Sequence, residues 1–336
     1  MKTNDLDYAL PEELIAQTPL AERDASRMLH IERATGTISH RMFRDCISLL
    51  QPGDLLVANN TRVTAIRLFG KKSTGGNVEA LLLRETAPGE YLCLLRPAKR
   101  LKPGSPIVFE GGLTASVVRE EDGGQRVIRF DDSPGWKERL QDVSLAPLPP
   151  YIQTPLADQT RYQTVYAGPG GSSAAPTAGL HFTDSILEAL VQKGVSRADV
   201  TLHVGLDTFR PIQTERVEDH SMTGEICEIP PETAEAVGKC RGRIVAVGTT
   251  TVRTLETFAT GKKTVASGKT TSKLFITPGY EFQIVDGMFT NFHMPRTSML
   301  LMISALAGAN PVRSAYKQAV QERYRFLSFG DSMLIL

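Results

Sequence analysis

Asn59-Asn60-Thr61-Arg62 places two carboxamides, a hydroxyl and a guanidinium in a row after the apolar run Leu55 to Ala58. Such a set can hold a ribose or an amino-acid carboxylate, although a polar turn would use the same residues. Thr249-Thr250-Thr251 follows a second apolar run, Arg243 to Val247, and offers hydroxyls and backbone N–H groups to a ligand; the capping preference of threonine accounts for it equally well. Four of the six histidines, His181, His203, His220 and His293, stand beside Gly, Thr, Phe or Asn at expected strand or loop ends. With Glu225 they are candidates for acid–base chemistry or a metal site. No pair has the H-x-H or H-x-x-x-H spacing that lets one element supply two ligands, so no metal is expected. The cysteines, Cys46, Cys93, Cys227 and Cys240, form no C-x-x-C pair and read as reduced packing residues. The run Gly168 to Ser173 could cradle a phosphate, but the third glycine of a dinucleotide fingerprint falls on Ser173. Gly268-Lys269-Thr270 resembles the end of a P-loop with Lys263 where the upstream glycine belongs. Both runs read as loops, with a mobile lid as the functional alternative. No G-x-S-x-G elbow is present.

The elements that must position these residues fall into two patterns. Between Val63 and Phe130, six short β-rich runs (63–69, 78–83, 91–95, 106–109, 113–118 and 126–130) are separated by turns such as Thr74-Gly75-Gly76-Asn77, Pro103-Gly104 and Asp122-Gly123-Gly124. Several alternate apolar and polar residues, which predicts a small antiparallel barrel wet on one side. Pro147 to Ile152 then reads as a stiff linker. Beyond it the pattern becomes strand, turn, helix. Thr164 to Ala167 reads as a strand, and a helix is expected from Asp184, capped by Thr183 and stopped by Gly194. Pro231 opens another helix, and Val252 to Phe258 a third. Since Pro52 to Asn60 reads as loop and buried strand with nothing closing before it, the expected fold is α/β: a discontinuous α/β domain (1–60 plus 151–336) with an inserted six-stranded antiparallel β-barrel (61–150).

Size and charge bound the function. The 336 residues suggest about two domains. Apolar residues make up 41% and charged residues 22%, which excludes a disordered or coiled-coil chain. Met299 to Ala307, the longest nearly apolar run, is far short of the ~20 residues that span a bilayer. The start, M-K-T-N-D-L-D-Y, has no apolar block, so a cytoplasmic protein is expected. The formal charge of +1 announces no global attraction to nucleic acid. Locally, Arg62 to Lys102 carries nine basic and three acidic residues, and Lys239 to Lys273 eight and one. Each alone reads as a solvated face; together they could form a partial polyanion footprint.

Seven segments, in order along the whole chain, resemble one family: Asp24 to Leu29 (D-A-S-R-M-L), Pro52 to Val63 (P-G-D-L-L-V-A-N-N-T-R-V), Ala175 to Thr183 (A-P-T-A-G-L-H-F-T), Val200 to Pro211 (V-T-L-H-V-G-L-D-T-F-R-P), Val245 to Glu256, Val285 to Pro295 (V-D-G-M-F-T-N-F-H-M-P) and Tyr324 to Leu336. They are similar to the S-adenosylmethionine:tRNA ribosyltransferase-isomerases of queuosine biosynthesis. The resemblance implies a discontinuous α/β domain with an inserted barrel. It implies transfer and isomerisation of the ribosyl part of S-adenosylmethionine onto 7-aminomethyl-7-deazaguanine at the tRNA wobble position, giving epoxyqueuosine, adenine and methionine. The expected RNA partners are GUN-anticodon tRNAs for Asp, Asn, His and Tyr. Where many members read H-x-M-H-S-E, this chain has His220-Ser221-Met222-Thr223-Gly224-Glu225, and Ser272-Lys273 replaces a usual Thr-Asp.

The sulfonium of S-adenosylmethionine acidifies the C5′ hydrogens. A base can therefore form an ylide, adenine leaves, the amine adds to the unsaturated sugar, and closure to the epoxide expels methionine. Such a reaction asks the protein for a base, an acid and orientation, and for no prosthetic group or metal. The candidates for acid and base are His181, His203, His293 and Glu225. Asn59, Asn60, Thr61, Thr249, Thr250 and Thr251 are expected to bind S-adenosylmethionine. Arg62, Arg67, Arg210 and Arg253 are candidates for phosphate or carboxylate contacts, and Lys71, Lys72, Lys99, Arg100 and Lys102 for tRNA. A monomer without protein partners is expected. A metal-dependent hydrolase and a noncatalytic RNA-binding module are the competing classes.

Overall fold

Strand Leu55–Asn59 is buried at every position, and its side chains divide between two cores. Leu55 and Val57 belong to one apolar cluster, Leu56 and Ala58 to another. The same alternation separates Ile244 and Ala246 from Val245 and Val247 in strand Ile244–Val247, and Met288 from Phe289 in strand Gly287–Asn291. Period-two side chains that are all apolar require a sheet covered on both faces, and that is why these segments carry uninterrupted apolar runs. The computed structural model describes residues 1–205 and 211–336.

The sheet has nine strands in the order Gly268–Ser272, Glu225–Ile229, Ser196–Leu202, Leu55–Asn59, Ile244–Val247, Gly287–Asn291, Ser332–Ile335, Arg27–Ile31 and Ile38–Met42. The four strands from Ser196–Leu202 to Gly287–Asn291 run parallel, and Arg27–Ile31 pairs parallel with the C-terminal strand Ser332–Ile335. Helix Ser298–Ala307 is apolar nearly all round and buried in the larger core, with helix Ala309–Gln321 packed outside it. Helix Asp184–Gln192 covers the other face through Ile186 and Leu190, with Thr183 capping its start through the Ile186 N–H at 3.2 Å.

Six antiparallel strands, Ile66–Lys72, Asn77–Ala87, Glu90–Arg96, Pro106–Phe109, Thr114–Glu120 and Arg126–Phe130, close into a barrel around a separate core. Helix Trp136–Val143, not foreseen in the sequence, plugs one side by stacking Trp136 on Phe130 at 5.5 Å between ring centroids.

Three local expectations need correction. Residues 164–167 are turn rather than strand; the strand is Gly170–Ser172, inside the glycine run, pairing with Arg62–Val63. The P-loop-like run is also strand, Gly268–Ser272, because edge pairing with Glu225–Ile229 satisfies its backbone despite its polar composition. Helix Thr249–Thr257 begins three residues earlier than its apolar pattern suggested, directly after Gly248 at φ 89°.

At the amino ends of the parallel strands, Asp54 accepts hydrogen bonds from the backbone N–H of Gln51 and Arg243, both at 2.8 Å, and pairs with the Arg243 guanidinium at 2.6 Å. Burial pushes the Asp54 carboxyl upward, but the Arg243 side chain and the two backbone donors outweigh it and hold the pKa below its ordinary value. A depressed carboxyl contributes stability above its unfolded pKa of about 4 and loses it as pH falls through the folded value. Asp54→Asn is expected to cost roughly 2–3 kcal/mol at neutral pH and to flatten the loss of stability below about pH 4, measured by urea unfolding across pH.

Candidate active site

From Leu55–Asn59 the chain crosses to Ser196–Leu202 on one side and later to Ile244–Val247 on the other. Connections leaving in opposite directions open a crevice at the carboxyl ends of the strands. A cleft lies there, walled by Ala175 to Ala178, Val204, Gly248 to Thr250, Thr290 to Met294 and Ser328. Thr249 and Thr250 bring the N-terminus of their helix to the cavity, with unbonded first-turn N–H groups and the positive end of its dipole.

Asn59 sits below this floor, fully buried. Its Nδ2 donates to Leu202 O at 3.0 Å and Thr250 Oγ1 at 3.2 Å, while Oδ1 accepts from the N–H of Leu202 at 3.0 Å and of Thr61 at 3.1 Å. Asn60 accepts from Thr201 Oγ1 at 2.8 Å. The buried Thr61 hydroxyl meets His203 Nδ1 at 2.9 Å. A hydrogen-bonded chain thus runs from His203 through Thr61 and Asn59 to Thr250.

The candidate histidines have three environments. His181 is buried, with Nδ1 on Ser26 Oγ at 2.8 Å, Nε2 on Asn291 Nδ2 at 3.1 Å, and its ring stacked on Phe43. Burial, then the charges of Arg23 and Arg325, pushes it down to about 4, so it is neutral at physiological pH. His293 is buried, places Nε2 on Thr290 Oγ1 at 2.7 Å and is pushed down to about 3 by burial; its N–H donates to Tyr316 Oη at 2.9 Å, and its carbonyl accepts from Tyr8. His203 is half-buried and lowered by desolvation, then by Lys269, and Thr61 engages only its Nδ1. The backbone of Gly171, at φ 134°, lies against this ring.

Glu225 and Arg253 form a buried ion pair, and Glu225 also accepts from Gly205 N–H at 2.8 Å. Arg253 therefore meets a protein carboxylate rather than open space. Arg67 ties its barrel strand to the 147–150 segment, donating to Leu148 O at 2.6 Å and lying 3.0 Å from Glu79. Arg62 bonds the carbonyls of Ala167 and Gly168. Lys71, Lys99, Arg100 and Lys102 are exposed on the barrel, with Lys72 half-buried and Lys102 3.2 Å from Glu120. Arg210 lies outside the described residues. Thr251 Oγ1 turns inward to Val247 O at 2.7 Å, away from the cleft lining.

Thr249, Thr250 and His293 share the cleft; His181, His203, Asn59 and Thr61 stand directly behind it through hydrogen bonds. Residues not singled out from sequence complete it. Asn291 holds His181 and accepts from Thr177 Oγ1 at 3.0 Å, and Tyr151 closes a wall by pairing with Ser328 at 2.7 Å. A lone asparagine ending the apolar strand Gly287–Asn291 was the available signal for the first; nothing local marked Tyr151. Among the described residues no three His, Cys, Asp or Glu side chains converge as a metal site, and no helix is long and apolar enough to cross a membrane.

A family model described as "Queuosine biosynthesis protein" matches residues 3–335. Proteins named S-adenosylmethionine:tRNA ribosyltransferase-isomerase are similar over almost all of both chains: 49% identity from Heliobacterium modesticaldum (98% of each chain) and 47% from Desulforamulus reducens (100% of each). The crystal structure of S-adenosylmethionine tRNA ribosyltransferase from Thermotoga maritima is 37% identical, with a TM-score of 0.56 over 99% of this chain and 100% of that one.

A Cβ on Gly171 would lie 3.0–3.1 Å from three atoms of the His203 ring, on a backbone that L residues rarely adopt. Gly171→Ala is therefore expected to displace His203 and lower turnover at least about tenfold if the ring moves by ~1 Å. The strained backbone should also lower the unfolding midpoint by a few degrees, with the protein still folded at 25 °C; paired kinetic and thermal measurements check both parts.

Proposed function

Because the chain belongs to the S-adenosylmethionine:tRNA ribosyltransferase-isomerase family of queuosine biosynthesis, we propose that it transfers and isomerises the ribosyl group of S-adenosylmethionine onto 7-aminomethyl-7-deazaguanine at the wobble position of GUN-anticodon tRNAs, releasing adenine and methionine. The observation that carries this reading is the adjacency of two cavities. The cleft lined by Ala175, Thr249, Thr250 and His293 takes the residue next in the chain to one wall of a crevice beside the barrel, lined by Arg67, Phe69, Arg96, Pro147 to Pro150, Ser173 and Ala174. A small sulfonium substrate in the first and a base flipped out of RNA in the second would meet near residues 174–175. Residues 61–150 would act as the inserted RNA-facing unit, and 1–60 with 151–336 as the catalytic one.

Within the cleft, the helix start at Thr249 and Thr250 suits acceptor groups of the nucleoside. His203 lies outside the cleft lining, but as the half-exposed histidine with one ring nitrogen unengaged it is the candidate base for a C5′ proton of a substrate that extends past Thr250. His181 has both nitrogens occupied and would orient Asn291. His293 lines the cleft with Nε2 held by Thr290 and, kept neutral by burial, would position substrate by hydrogen bonding rather than carry a proton. Glu225 and Arg253 would support the loop that follows His203 rather than touch the reacting atoms, since the Gly205 N–H rests on Glu225.

Adenine release from S-adenosylmethionine, dependent on tRNA carrying the deazaguanine base, is the expected activity. Folded protein releasing none would defeat the proposal. His203→Gln is expected to lower the single-turnover rate by roughly 10²–10⁴ while S-adenosylmethionine affinity changes less than threefold, a rate-against-binding split read by quench-flow and calorimetry. Replacing Lys71, Lys99 or Arg100 singly by Gln should lower the slope of log affinity against log salt by about 1 or less per charge, read by tRNA binding at several salt concentrations.

A further inference from the structure

Behind the cleft, across His181, lies a second, smaller depression bounded by Arg23, Ser26, Arg161, Leu180, His181 and Ser328. Ser328 borders both cavities, and the other nitrogen of His181 meets Asn291 of the first. Two guanidiniums line the second cavity, and the charge of a third, Arg325, reaches the same histidine. The protein gives them neutral acceptors only. Arg23 donates to Leu180 O at 3.1 Å, Arg161 to Ala21 O at 3.2 Å and Leu20 O at 2.7 Å, and Arg325 to Thr18 O. Arg161 Nε and Arg325 Nη1 are shielded from water and have no acceptor at all.

Counter-charge is sparse. Among the described residues no carboxylate comes within 4 Å of these three guanidiniums; Asp158 acts on Arg23 and Arg161, Asp184 on Arg23 and Asp331 on Arg325 only from farther away, and Asp331 lies 3.6 Å from Arg27. Like charges also crowd one another, Arg161 disfavouring the charge on Arg23. Partly buried guanidiniums with orphaned N–H groups and no anion are costly, and their planar forks match an oxyanion in geometry and charge.

We propose that the cavity between Arg23 and Arg161 is an oxyanion site that anchors substrate one residue away from the catalytic cleft, with His181 as the shared wall. Its occupant is a carboxylate or a phosphodiester. The choice rests on the reaction proposed above, in which S-adenosylmethionine brings the first and tRNA the second. The site itself follows from the uncompensated arginines.

The test uses full-length Arg23→Gln and Arg161→Gln proteins, with Arg23→Lys and Arg161→Lys to separate charge from the carbonyl contacts that hold the fold. Sodium sulfate raises the unfolding temperature of any folded protein beyond chloride by exclusion from its surface, so the site is read from the difference: the sulfate excess should be smaller in the Gln variants than in wild type at matched ionic strength, with the Lys variants in between. Equal sulfate effects in wild type and Gln variants overturn the site. Binding then identifies the source. A carboxylate anchor predicts at least a tenfold loss of S-adenosylmethionine affinity in the Gln variants with tRNA affinity unchanged. A phosphodiester anchor predicts the reverse, with a tRNA salt slope smaller by about 1. Folded Gln variants that bind both substrates like wild type overturn the anchoring role. The sulfate difference together with wild-type protein that releases no adenine would leave the oxyanion site standing and refute the reaction instead.

Discussion

One side chain ties the sheet to the chemistry. The Asn59 carboxamide is out of water and uses both of its ends, with four hydrogen bonds linking the carboxyl ends of two parallel strands to the helix that starts at Thr249. No hydroxyl or carboxylate of similar size can do this, because the position needs two donors and two acceptors on one planar group. It fixes Leu202, and so His203 immediately after it, against Thr61 and Thr250. What looked in the sequence like a ligand-binding carboxamide is a clamp that holds groups facing the ligand.

Burial grades the histidines by task. Desolvation makes His181 and His293 poor proton acceptors, and their hydrogen bonds make them rigid. His203, half-buried and engaged through one nitrogen, keeps the capacity to exchange a proton. Similar side chains thus meet different surroundings, and the difference arises from how many partners the neighbouring segments supply. The buried Glu225–Arg253 pair follows the same logic: each removes the other's charge from the list of free groups, and the carboxylate's remaining oxygen orders Gly205.

The glycine run at 168–173 serves close approach. As strand Gly170–Ser172 it pairs with Arg62–Val63, where the chain enters the barrel, so the loop bordering His203 and the barrel's first residues share hydrogen bonds. Glycine is required at Gly171 because the histidine ring occupies the space of a side chain. Arg62 fastens the preceding turn through the Ala167 and Gly168 carbonyls, and Arg67 holds the 147–150 segment through Leu148. These two arginines are engaged by the protein itself, whereas Arg23 and Arg161, which no motif singled out chemically, have no carboxylate within 4 Å among the described residues and feel Asp158 only from farther away.

Alternation and turn chemistry made the six-stranded barrel legible, because each strand has one wet face and ends in Gly, Pro, Asn or Asp. Uninterrupted apolar runs did the same for the central parallel strands, which must be covered twice. Those signals are local, and the sequence by itself determined the barrel strands, the central apolar strands, the fold class and, through long ordered motifs, the family, but not helix Trp136–Val143 or strand Gly170–Ser172. It could not distinguish a side chain that faces a cavity from one that braces its neighbour, since Asn59, Thr251 and Arg253 are as polar as Thr249 and Thr250. Nor could it place Tyr151, Ser328 and Asn291, far apart in the chain, around one cleft. Only the tertiary structure decided these, because a polar group's role depends on which partners remain for it once every buried donor and acceptor has been satisfied.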